Sequence, residues 1–211
     1  MKVVRDSDVA YERLRTKIIE LQFQPGMMID EPTLATEVGL GRTPVHEAVA
    51  RLVIDRLVTV MPRRGLMIAP IGLELVREIF EAREILECGN AYFAVQHATD
   101  ADIAELRQMV ASAEDARNEF DVLRFLEDDQ RIHRFLSSIV HNAFLRDATE
   151  RILLHNLRFW RYYFSTHQAL PKTMVSHWPL LTALEQRNAN LTRNAMYEHI
   201  LTSRNLLNTL F

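Results

Sequence analysis

The chain of 211 residues holds a single cysteine, Cys88, so it can form no internal disulfide, and this usage fits a reducing cytoplasm. Cys88 stands in an apolar helical pattern, the place of a small core residue rather than of a redox centre. Glycine is scarce, with six residues, and long stretches lack both Gly and Pro, which favours a helical bulk. No apolar run approaches the roughly 20 residues of a membrane helix. The opening Met1-Lys2-Val3-Val4-Arg5-Asp6 lacks the apolar core of a signal peptide, so a soluble cytoplasmic protein is expected. An overall basic excess is also missing. The net charge is -3, with ten Lys/Arg against nine Asp/Glu in residues 1–70 and fifteen against nineteen in residues 71–211. Any surface for nucleic acid must therefore be local, and the basic residues available to it in the front are Arg42, Arg51, Arg56, Arg63 and Arg64.

What is present is an ordinary globular composition, 48% hydrophobic and 25% charged, long enough for one large domain or two modest ones. The most informative stretch is Gly41–Leu52. A proline, Pro44, falls in the first turn of a helix that aligns Val45, Ala48/Val49 and Leu52 on one stripe. Upstream, Glu31–Val38 reads as a short helix closed by Gly39. Two short helices joined by a tight turn, the second carrying exposed basic residues, form a helix-turn-helix whose second helix enters the major groove. Val9–Leu21 supplies a first amphipathic helix, and Met27-Met28-Ile29 reads as one short strand. Leu57–Met61 and Leu66–Ala69 are β-favouring runs around Pro62-Arg63-Arg64-Gly65, a hairpin with a basic tip. Such a wing lies on the phosphate backbone or in the minor groove. The expected DNA contacts are Arg42, Thr43, His46, Arg51, Arg63, Arg64 and Gly65.

Pro70-Ile71-Gly72 marks a boundary between a DNA-binding domain, residues 1–70, and a second domain, residues 71–211. Beyond it helical periodicity covers 73–98, 100–117, 121–140, 143–166, 172–187 and 190–209, an antiparallel bundle of about six helices. The fold class is thus mainly α. Three of these helices carry polar residues where the pattern calls for apolar ones. Asp129 and His133 sit four apart among Val122, Phe125, Ile132, Leu136 and Val140; His177 shares a face with Leu181 and Leu184, and His199 with Met196, Leu206 and Leu210. A buried carboxylate must be paired or metal-bound. Three imidazoles and a carboxylate suit a divalent transition metal such as Zn²⁺, Ni²⁺, Mn²⁺ or Fe²⁺, with positions left for water or a ligand's carboxylate. The same residues also suit hydrogen-bonded core positions or, for Asp129 and His133, a surface pair. His97, His141 and His167 fall near helix ends; His155 is left open.

The chain resembles the GntR-type bacterial transcription regulators with a helical FCD effector domain. In front the resemblance rests on Gln24-Pro25-Gly26, Glu31-x-x-Leu34-Ala35, Gly39, Arg42-Thr43-Pro44-Val45, Glu47-Ala48, Arg51-Leu52 and Pro62-Arg63-Arg64-Gly65. In the back it rests on Arg83-Glu84-x-x-Glu87, Asp129-x-x-x-His133, Asn142, His177 with Leu181-x-x-Leu184, and His199. The resemblance implies a homodimer on a near-palindromic double-stranded operator, usually repressing, with a small organic acid as effector on the metal. It also implies that Arg83 faces the pocket and pairs with that acid; a surface salt bridge with Glu87, i to i+4, is the alternative. Two departures stand out: Gly41 where the family commonly has Ser, and His46 where it has Arg. A metal-dependent enzyme is a separate reading of the same ligands, and a helical domain that answers to ligand without metal is another.

Overall fold

The computed structural model describes residues 4–166 and 174–207, which divide into two compact units, Met1–Leu73 and Glu74–Phe211. The first contains α1 (Asp6–Ile19), β1 (Met28–Ile29), α2 (Glu31–Val38), α3 (Arg42–Ile54), β2 (Val58–Met61) and β3 (Gly65–Ile68). The chemistry of their ends explains their limits. The Asp30 carboxylate accepts the Thr33 N–H at 2.9 Å, Pro32 occupies the first turn of α2, and Gly39 closes it in a left-handed conformation at φ 67°. Gly41 precedes α3 and offers it no side-chain cap. The buried stripe Val45, Ala48, Val49 and Leu52 offsets that weak start, since burying one large aliphatic side chain is worth about 1.5–3 kcal/mol. This face packs on α1 and α2.

The sheet is antiparallel in the order β1-β3-β2, with Met28 opposite Met67 and Val60 opposite Leu66. The short strand expected at Met27–Ile29 is thus the third member of the wing sheet, and Ile29 is buried beneath it.

The second unit is helical: α4 (Leu73–His97, beginning at the last residue of the first unit), α5 (Asp100–Asn118), α6 (Val122–Ile139), α7 (Ala143–Thr166), α8 (Trp178–Glu185) and α9 (Ala189–Leu207). Side-chain caps set most of the starts. Thr99 and Asp102 form a reciprocal capping box on α5, and Asp121 accepts the Arg124 N–H of α6. Asn142 accepts the N–H groups of Phe144 and Leu145 at the start of α7, and Asn188 that of Leu191 in α9. The helix expected from residue 172 begins instead at Trp178. Met174–Ser176 are not helical, and Pro179 stands in the first turn, where its missing N–H costs no helical bond. Residues 172 and 173 lie outside the described residues. Helix α6 packs between α5 and α7, and α8 packs on α5 and α9.

Candidate metal centre and DNA-reading face

On α3 the side chains of Arg42, Thr43, His46, Glu47 and Ala50 are exposed, on the side away from the buried stripe. His46 does not hang free: its Nδ1 meets Glu31 Oε1 of α2 at 2.9 Å, an exposed contact across the two helices of the motif. Arg51 lies nine residues beyond Arg42, about half a turn round the helix at 3.6 residues per turn. Its Nη1 donates to Asp8 Oδ1 at 2.9 Å, and its guanidinium lies over the Tyr11 ring, 3.8 Å from the centroid. The Tyr11 hydroxyl in turn donates to Asp55 at 2.6 Å. The structure therefore holds Arg51 against α1 at the far edge of the exposed face, half a turn from Arg42, with its side chain 41% exposed. At the wing tip Arg63, Arg64 and Gly65 are all exposed. Arg63 and Gly65 hold positive φ, 63° and 92°, and a Cβ on Gly65 would stand 3.2 Å from the Ile29 carbonyl oxygen. The turn needs glycine for both reasons.

In the second unit the anomalous polar residues converge. Around Asp129 Oδ1 lie His177 Nε2 at 3.2 Å, His133 Nε2 at 3.5 Å and His199 Nε2 at 3.8 Å, and the four ligand atoms all fall within 4.8 Å of one another. Asp129 and His133 come from successive turns of α6, His177 from the residue preceding α8, and His199 from α9. All four are buried. Ligands at about 2.1 Å from one ion stand about 3.0 Å apart at right angles and about 3.4 Å apart in a tetrahedron; the separations from Asp129 and the 3.4 Å between His133 and His177 Nε2 lie near these values, while the wider ones, up to 4.8 Å, would close around an ion. The ring orientation agrees. Each imidazole turns Nε2 inward, while Nδ1 of His177 and of His199 is buried without a hydrogen-bond partner among the described residues.

Charge in the cluster is ordered by its neighbours. Burial disfavours ionisation of His133, but the Glu87 and Asp129 carboxylates outweigh it and raise the imidazole to about 9. Burial lowers His177, and burial together with the neighbouring His177 and His133 holds His199 well below the ordinary imidazole range. Both therefore stand in the neutral form that a metal ligand requires. Against burial, Arg83 and His133 pull Glu87 down to about 2, and His133 and His177 hold Asp129 well below the usual carboxylate range.

Arg83 is neither a surface residue nor free. Only 1% exposed, it donates from Nε to Glu87 at 2.5 Å and from Nη1 to Asn156 of α7 at 3.0 Å, while Nη2 lies 3.4 Å from His133 Nε2. The pair with Glu87 is present, but buried beside the cluster and not on the surface as the alternative had it. Both residues thus belong to the same site. Arg83, Asp129 and His199 border, with Phe125, Trp160 and Ser203, an enclosed space of about 10 Å³, close to the room one water occupies.

Some candidates stay outside. His97 and His141 are exposed, His155 is buried in α7 away from the four ligands, and His167 and Leu210 lie outside the described residues. Of the aromatic residues of α7, Phe159 and Tyr163 are core residues, while Trp160, also buried, borders the small space beside Arg83; Trp178 is partly exposed. The residues that sequence reasoning missed are Asn156 and the second role of Glu87, which touches His133 Nδ1 with its other oxygen.

Residues 6–68 match the bacterial regulatory proteins of the gntR family, and residues 78–202 match the FCD domain, more than half of the chain. The chain belongs to the GntR regulators with an FCD domain. Among relatives of this GntR/FCD protein, the HTH-type transcriptional repressor RspR of Escherichia coli strain K12 is 26% identical over 191 residues, 90% of this chain and 83% of its own. The Nta operon transcriptional regulator of Aminobacter aminovorans is 29% identical over 144 residues, 68% of each chain. The solved structure of E. coli McbR/YncC superposes with a TM-score of 0.83 at 21% identity, covering 99% of both chains, which shows the shared fold. This GntR/FCD protein is thus a DNA-binding transcriptional regulator and not an enzyme, and its buried Asp/His cluster is of a kind that could hold a metal. No helix among the described residues is long and apolar enough to cross a membrane.

Proposed function

We propose that the protein is a cytoplasmic, homodimeric repressor of a near-palindromic operator, released from DNA by a small organic acid bound at a divalent transition metal in the helical domain. The observation that carries this reading is the convergence of three Nε2 atoms and one carboxylate oxygen, from three separate segments, in a buried site beside Arg83. Asp129, His133, His177 and His199 would hold the ion. A divalent ion there supplies a Lewis-acidic position for a carboxylate. Arg83 Nη2, the end of the guanidinium not spent on Glu87 or Asn156, would hold the acid's second oxygen. The space beside Arg83 has about the size of one water, so an acid seated there would displace side chains such as Phe125 and Trp160. That displacement gives the acid differential affinity for two arrangements of the bundle, as a ligand-driven switch requires.

At the output, Arg42, Thr43 and His46 of α3 would read the major groove, with Arg63, Arg64 and Gly65 of the wing on the backbone or in the minor groove. His46 brings no permanent charge where the family commonly has Arg, so the bases read differ from the usual ones.

A second reading, ligand response without metal, has one observation in its favour. Glu87, Arg83, Asp129 and a protonated His133 form a charge-balanced buried set by themselves. A thermal-shift screen of organic acids, run with metal-loaded and chelator-stripped protein, separates the two. Stabilisation by an acid only in the loaded protein, together with release from operator DNA, supports the metal-dependent reading. Equal responses in both forms support the second reading.

A further inference from the structure

Glu87 lies 2% exposed in the middle of α4, with a different charged partner beside each of its oxygens. Oε1 accepts from Arg83 Nε at 2.5 Å, one helical turn earlier, and Oε2 faces His133 Nδ1 in close contact across to α6. Arg83 is fixed in its turn by Asn156 Oδ1 of α7 at 3.0 Å. The result is a chain of buried polar groups, Asn156–Arg83–Glu87–His133, which ends on the ring nitrogen opposite the one that faces Asp129. An imidazole has two tautomers, and only the one protonated at Nδ1 leaves a lone pair on Nε2 for a metal. A carboxylate against Nδ1 draws the proton to that nitrogen and raises the basicity of the other. His177 and His199 have no such group: among the described residues their ion pairs run through Nε2 to Asp129, and no carboxylate pairs with their Nδ1 atoms. Of the three imidazoles in the cluster, His133 alone is oriented by a carboxylate from outside it.

We propose that Glu87 is the positioning residue of the metal centre: it fixes the metal-binding tautomer and ring orientation of His133, and Arg83 and Asn156 hold Glu87 for that task. Arg83 then has two duties on one guanidinium, Nε toward Glu87 and Nη2 toward the ligand position, so the acid and the supporting carboxylate share a partner. The site's metal affinity and its response to acid are coupled through this residue.

This inference rests on the metal reading, and the test separates the two. Zn²⁺ binding to the full-length protein is measured by titration against a chromophoric chelator for the wild type, Glu87→Gln and Glu87→Ala, and the His133 tautomer is read by ¹⁵N NMR of the apo protein above about pH 9, where the imidazole is neutral. The wild type is expected to bind Zn²⁺ with His133 protonated at Nδ1. Glu87→Ala should weaken binding by about 10–100-fold, the usual cost of losing such a partner, and should show mixed tautomers in the apo protein. Glu87→Gln keeps an acceptor for Nδ1–H and should lose less. Unchanged Zn²⁺ affinity and an unchanged His133 tautomer in both variants overturn the role of Glu87 while leaving the metal centre standing. A wild type that binds no Zn²⁺ overturns both. Should Glu87→Ala fail to fold, the Gln variant and the milder Asn156→Ala, which loosens Arg83, decide the matter by the same two readouts: unchanged values overturn the role, and weakened binding with mixed tautomers supports it.

Discussion

The two arginines of α3 have opposite environments, and replacing each by alanine should have opposite consequences. Arg42 is exposed in the first turn, on the solvent side of the helix. Arg42→Ala should leave folding intact and weaken operator binding. One lost base or phosphate contact costs about 1–3 kcal/mol, roughly tenfold or more in affinity. If the contact is to phosphate, a dimer loses two, and the slope of log K against log salt falls by about 1.8. Arg51 is half-exposed, paired with Asp8 and stacked on Tyr11. An ion pair of that exposure contributes about 0.2–1 kcal/mol and the stacking about 0.5–1, so Arg51→Ala should destabilise the DNA-binding domain by about 1 kcal/mol. Its effect on DNA should follow from that loss alone. The assay is fluorescence anisotropy on an operator selected from a random DNA pool, alongside urea denaturation of each variant. An Arg51→Ala protein of wild-type stability that fails to bind, or an Arg42→Ala protein that binds as the wild type does, would refute the assignment of faces.

Further outcomes follow from the same geometry. Gly41 has φ −68°, and a Cβ there would meet Pro44 Cδ at an ordinary 3.8 Å, so Gly41→Ser should be accepted and cap α3, gaining a few tenths of a kcal/mol in denaturant unfolding. Gly65→Ala should cost about 1 kcal/mol or more and loosen the wing, because it combines positive φ with the close Ile29 carbonyl; loss of hairpin amide protection in hydrogen exchange would report it. His177→Ala should reduce metal affinity more than about 100-fold, beyond the cost of losing a supporting partner, while the apo protein still binds operator and no longer releases it on adding acid.

Much of this was legible from residue patterns. Asp30, Gly39, Thr99 and Asp121 act within one turn of their own position, so the helix limits they set can be read locally. The four inward polar residues were legible because a period-3.6 apolar stripe makes Asp129, His133 and His199 conspicuous. His177 was conspicuous too, but for a different reason than its helical spacing suggested, since it precedes α8, and Pro179 marks the true start. What could not be read was lateral. Arg83 and Glu87 at i and i+4 look the same on a surface and in a core, and only the packing of α6 and α7 turns their pair into part of the site. Arg51 likewise reads as a free basic residue until α1 brings Asp8 and Tyr11 to it. Tertiary neighbours, not spacing, decide such roles.

Whether the bundle holds a metal through which DNA binding is governed is decided by elemental analysis of protein purified without a metal-affinity tag. About one equivalent of a divalent transition metal per chain is expected, lost on replacing Asp129 or His177 with Ala. Less than about a tenth of an equivalent, with no uptake when Zn²⁺ or Ni²⁺ is added, would contradict it.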